Sequence, residues 1–343
     1  VEIGVQDDAL LASAEPPAVP TTKALHPRVV RYNIAWDAVA PTAPATPTDP
    51  GDPAYRFATA DRVLARVASI GAAPLVTIVG SPAWANGGAN PATAPRDPAA
   101  FGAFCQAVAH RYDGSFTPPG ATLPLPRVDR YTVWNEPNRG QYLMPQGRTG
   151  RQAPVVYAAL ARACVPAIKA ANPRAQVAIG PVASLGAWHG LSPLRFLERY
   201  LAAGGPAPDV LAVNPYMEGQ TPQYLPTDYP SDGAVTVNNL DVLERKLRSL
   251  ERHEVPVWLT ELAWRTAAGT PGAVTPAQQE SLFHDAVDVI RQHEPYVKVL
   301  VWFLVRDESP TSYWQSGLVN TAWQRKPIFD TFRQLADDAA PKT

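Results

Sequence analysis

Two glutamates stand at positions where a carboxylate is costly. In YTVWNEPN (131–138), Glu136 follows an apolar, strand-like run; in WLTELAW (258–264), Glu261 does the same 125 residues later. A charged group at the tip of an apolar strand is expensive to desolvate unless something uses it. Two such carboxylates facing one bond define a chemistry. One must be protonated to donate to a leaving oxygen, and the other must be ionised to attack or to activate water, which is what glycoside hydrolysis requires. Asn135 and Asn138 flank Glu136, and Pro137 is expected to stop the strand there.

The elements that would position this pair recur along the chain. Eight apolar, β-branched runs occupy residues 1–6, 29–36, 73–80, 130–135, 175–182, 209–216, 255–262 and 297–305. Helical patterns lie between or after them, at 58–71, 98–112, 154–173, 191–204, 239–253, 276–295 and 326–338. Strands apolar on both faces and alternating with helices imply a parallel sheet covered by helices. Eight such units predict one (β/α)8 TIM barrel spanning residues 1–343. The alternative, an open nucleotide-binding sheet, lacks its glycine-rich fingerprint: no GxGxxG or GxxxxGK[ST] occurs.

In such barrels chemistry gathers at the C-terminal ends of the strands. The runs end there in Gln6, Asp7 and Asp8; Asn33, Trp36 and Asp37; Ser81 and Trp84; and Asn135, Glu136 and Asn138. The sixth adds Asn214 and Tyr216, the seventh Glu261 and Trp264, and the eighth Trp302, Arg306 and Asp307. Carboxylates, amides and aromatics with almost no lysine suit a neutral, hydroxyl-rich ligand. Glu136 and Glu261 fall on strands four and seven respectively, roughly opposite across an eight-stranded barrel.

Composition narrows the partners. Hydrophobic residues are 46% of the chain and net charge is −1, so a large core is available and nothing draws in nucleic acid or an anionic membrane. No uninterrupted run of about 18 apolar residues appears. The six histidines show no ligand spacing, so no metal or other cofactor is expected. Cys105 and Cys164 both fall in helical stretches, either as two buried thiols or as one disulfide between neighbouring helices; the disulfide would suit a secreted or periplasmic protein.

VWNEPN (133–138) together with WLTELAW (258–264) resembles the retaining glycoside hydrolases of clan A, with family 39, the xylosidase- and iduronidase-like enzymes, the most similar. The resemblance implies that Glu136 is the acid/base and Glu261 the nucleophile. It implies that Asn135 hydrogen-bonds the sugar 2-hydroxyl, Arg31 keeps the nucleophile ionised and Tyr216 hydrogen-bonds it. Trp302 would form the floor beneath the sugar. Asn214 departs from the pattern, because the clan often has histidine there.

Asp8, Trp36, Trp84, Trp314 and His189 are further candidate sugar contacts, each also readable as packing or loop. A non-catalytic carbohydrate-binding barrel and a transglycosylase are the competing functions.

Overall fold

The computed structural model describes residues 1–184, 191–217, 219–223, 233–251 and 254–339. Eight parallel strands form a closed barrel: β1 (Glu2–Gln6), β2 (Val29–Ala35), β3 (Ala73–Val79), β4 (Arg130–Val133), β5 (Gln176–Ala183), β6 (Val210–Asn214), β7 (Val257–Leu262) and β8 (Val297–Phe303). Each pairs with its sequence neighbour, and β8 closes onto β1. This is the (β/α)8 fold read from the sequence.

Side-chain alternation divides the strands into two cores. Inward residues Val29, Leu75, Ala178, Val210, Ala212, Trp258, Val299 and Val301 fill the barrel's lower interior. Outward residues such as Val30, Val76, Val133 and Leu300 join the helices in a second, larger core. Two residues further along the strands than the apolar plug, Arg31 and Thr77 continue its inward rows; with Thr132, Thr260 and Gln6 they supply buried polar groups. The polar residues therefore sit between the plug and the mouth.

Two of the long helices start at side-chain caps that the sequence provides. Asp97 accepts from Ala99 N at the head of helix Pro98–Arg111, and Thr275 with Gln278 forms a capping box on Pro276–His293. Helix Pro98–Arg111 is joined to Ala153–Ala171 by the Cys105–Cys164 disulfide. Helix Ala153–Ala171 is long and apolar enough, by length and composition, to cross a membrane, despite Arg162 and Lys169 within it. In the fold it buries Tyr157, Leu160, Cys164 and Ile168.

Several strand ends differ from the sequence reading, those of β2 and β4 for reasons the backbone shows. Trp36 begins a one-turn helix, Trp36–Val39, rather than ending β2. β4 stops at Val133, before Pro137 acts, because Trp134 adopts φ +67°.

Candidate active site

The turn that carries Glu136 is strained and heavily braced. Trp134 and Glu136 both have positive φ, +67° and +40°; for residues with a Cβ such geometry costs about 1–3 kcal/mol each and persists only when surroundings enforce it. The bracing comes from both neighbouring strands. Trp134 N donates to Ile78 O of β3 (2.8 Å), and Glu136 N donates to Pro181 O of β5 (2.8 Å). Gly180, at φ +101°, makes the bulge that breaks register between Ile179 and Val182 and leads into Pro181. Tyr157 fastens both elements, donating to Val133 O and accepting from Gly180 N. Asn138 binds the end of β5 through Ala183 N and O.

Glu261 sits on β7 itself. Its Oε1 accepts from Arg31 Nη1, and its Oε2 accepts from the Tyr216 hydroxyl at 3.0 Å. Burial, then the charge of Glu261, pushes the Tyr216 phenol well up, so it remains a neutral donor. Arg31 is fully buried and spends its donors on four side chains: Glu261, Gln6 Oε1 (2.7 Å), Asn135 Oδ1 (2.8 Å) and Thr77 Oγ1 (2.9 Å). Because Asn135 Oδ1 faces Arg31, its amide NH2 is left for the cavity.

Asn214 acquires a definite function in this network. Its Oδ1 accepts from Thr260 Oγ1 (2.7 Å), which fixes the amide so that Nδ2 donates to Glu136 Oε1 (2.9 Å). Arg139 Nη1 approaches Glu136 Oε2 at 3.4 Å. Burial first, and the nearby Glu261 carboxylate second, raise the Glu136 pKa to about 7, against the opposing pull of Asn214 and Arg139. One carboxyl is thus poised near neutrality while its partner is ion-paired, the asymmetry that acid and nucleophile roles demand.

A cavity of about 370 Å3 opens beside this network, lined by Asn135, Glu261, Asp8, Tyr142, Phe303 and Trp314 among others. Glu136, 3% exposed, is not one of the lining side chains. Asp8 accepts from Asn33 Nδ2 (2.7 Å) and Gln6 Nε2 (3.3 Å), and burial raises its pKa to about 7. Its neighbour Asp7 is structural: it accepts from Leu10, Val305 and Arg306 backbone N–H groups, tying the ends of β1 and β8 together.

The aromatic residues are distributed differently from expectation. Trp302 is not a floor. It points outward, fully buried against Phe283 and Trp264, with Nε1 donating to Ser316 O. The inward phase of β8 belongs to Val299, Val301 and then Phe303, which meets Trp314 edge-on at 4.8 Å. Trp36 is buried on Phe104 and Phe101. Trp84 packs on Trp36 and donates to Ala40 O, and it does not line the cavity. His189 lies outside the described residues.

Gln6 and Asn33, read among the strand-end polar residues, reach the cavity, and so does Trp314; Tyr142 and Phe303 reach it without having been singled out as contacts. Of those two, only Phe303 carried a usable signal, its two-residue step from Val299 and Val301. No described group of three or more His, Cys, Asp or Glu residues has the arrangement to hold a metal ion.

No family model matches the chain, and no curated protein matches it. Solved structures do. A family 39 glycoside hydrolase from Bacteroides cellulosilyticus WH2 superposes with TM-score 0.69 at 20% identity, covering 98% of this chain and 63% of that one. A glucosidase from Croceicoccus marinus gives TM-score 0.69 at 17% identity, covering 98% and 66%. A monomeric β-xylosidase from Caulobacter crescentus CB15 gives 0.64 at 17% identity, covering 97% and 67%. The chain therefore spans just under two thirds of the first two structures. What it shares with all three is the (β/α)8 fold.

Proposed function

We propose that the chain is a retaining glycoside hydrolase acting on a neutral sugar through a covalent glycosyl-enzyme. The observation that carries this reading is the asymmetric pair: Glu136 raised to about 7 and held by Asn214, Glu261 held by Arg31 and Tyr216, both in one buried network. The glycoside hydrolases and glycosidases that share the fold support the same reading.

In the first step Glu136 donates its proton to the glycosidic oxygen while a Glu261 oxygen attacks the anomeric carbon. The bond to the leaving oxygen breaks and its electron pair stays with that oxygen. Esterification removes the negative charge of Glu261, one of the two causes that raise Glu136, so Glu136 ionises more readily. In the second step the Glu136 carboxylate takes a proton from water, the water oxygen bonds to the anomeric carbon, and Glu261 leaves as a carboxylate. Asn135 NH2 offers donors to the attacked sugar, Asp8 an acceptor for its hydroxyls, and Phe303 with Trp314 an apolar wall.

The cavity wall favours a neutral sugar over an acidic one. Asp8 and Glu308 face it, while its arginine, Arg306, is engaged by Glu15. The Cys105–Cys164 disulfide supports a secreted or periplasmic site of action. A panel of 4-nitrophenyl glycosides, with NMR of the first-formed sugar anomer, tests the proposal. Turnover with retention is expected. Inversion refutes the double displacement, sugar binding without turnover identifies a binding barrel, and products longer than the substrate identify a transglycosylase.

A further inference from the structure

Tyr142 belongs to the same turn as Glu136. Arg139 N donates to Glu136 O (2.9 Å), Tyr142 N to Arg139 O (3.0 Å), and Trp134 Nε1 to Tyr142 O (2.8 Å). Gln146 closes the turn by donating to Pro137 O (3.1 Å) and Leu143 O (2.6 Å). Met144, two residues on, is bound to the loop after β3 through Ala92 O and Ala94 N. The backbone beneath Tyr142 is therefore fixed from several sides, and fixed relative to Glu136.

Its side chain lines the cavity with Asn135 and Glu261. The hydroxyl has no hydrogen-bond partner among the described residues. Burial, followed by the charges of Glu136 and Glu261, raises its pKa to about 12, so it keeps its proton at any working pH. A rigidly placed, neutral donor without an acceptor, facing a cavity, is suited to binding something that enters there.

Its place in the Glu136 turn points to that partner. The attacked sugar must contact Glu261, and the group that leaves must contact Glu136; Tyr142 shares the turn of Glu136. We propose that Tyr142 is a specificity-determining residue whose hydroxyl donates to an oxygen of the leaving group. The site would then favour a second sugar as leaving group over an apolar aglycone. This rests on the glycosidase reading above.

The test compares Tyr142→Phe with the wild type on two substrates of one sugar, the disaccharide and the unsubstituted phenyl glycoside. Loss of one neutral hydrogen bond should lower kcat/KM on the disaccharide by about 3- to 10-fold. The phenyl glycoside, whose leaving group offers no second oxygen, should change by less than about 2-fold. Thermal melting checks that the variant is folded. Equal losses on both substrates, or no loss on either, overturn the assignment while leaving the glycosidase reading intact. A wild type that cleaves neither overturns the glycosidase reading, and this inference with it.

Discussion

Arg31→Met is the sharpest structural perturbation of the site. Methionine fills much of the same volume but removes the charge and every donor. Glu261 loses its ion pair, and Gln6, Asn135 and Thr77 lose the donor they share. Arg31 is wholly buried and the Glu261 side chain 11% exposed, so water reaches the abandoned carboxylate poorly. Breaking one side of such a buried pair costs about 3–5 kcal/mol. For a 343-residue chain the unfolding entropy is roughly 0.7 kcal/mol per kelvin, so the melting temperature should fall by about 4–7 °C. Differential scanning calorimetry reads this directly. If the cost comes from an uncompensated carboxylate, adding Glu261→Gln to Arg31→Met should restore part of the loss. A single variant within about 1 °C of wild type, or a double variant that melts no higher than the single, refutes the reasoning.

Three further outcomes follow from the same geometry. Glu136 must be protonated to donate, so kcat/KM should fall as pH rises through about 7; the Asn214 hydrogen bond lowers that pKa, so Asn214→Ala should move the falling limb to higher pH, and an unmoved limb counts against the contact. Trp314→Ala should raise KM with little change in melting temperature, whereas Trp302→Ala should cost about 3–5 kcal/mol of stability; the reverse pattern would restore Trp302 as the sugar floor. Buried Glu294 has its pKa raised from 4.5 to about 8 by burial and then by Asp241. The folded state therefore binds the extra proton between those values, and stability should decline as pH rises through that window. Glu294→Gln should flatten the decline in melting temperature, and an identical slope in both proteins contradicts it.

The barrel and much of its polar network were legible because strand ends in a (β/α)8 fold are functional positions. Glu136, Glu261, Asn135, Arg31, Tyr216 and Asn214 all lie on strands or within three residues of a strand's end, and the structure brings them together. Trp302 was misplaced for a physical reason. A strand buried on both faces is apolar at nearly every position, so VKVLVWF gives the two-residue period without its phase. The early end of β4 was hidden because positive φ at Trp134 and Glu136 is imposed by hydrogen bonds from β3 and β5, not by glycine or asparagine in the sequence. Tyr142 comes from a loop, where neither periodicity nor a motif marks which side chain turns inward.

Trapping the glycosyl-enzyme tests most directly whether Glu261 forms the covalent bond to the sugar. A 2-deoxy-2-fluoro glycoside with an activated leaving group slows the second step, and the trapped enzyme can be digested and mapped by mass spectrometry. One added fluorosugar is expected on the peptide containing Glu261, and none in Glu261→Gln. Hydrolysis that proceeds with the label on another carboxylate would contradict it.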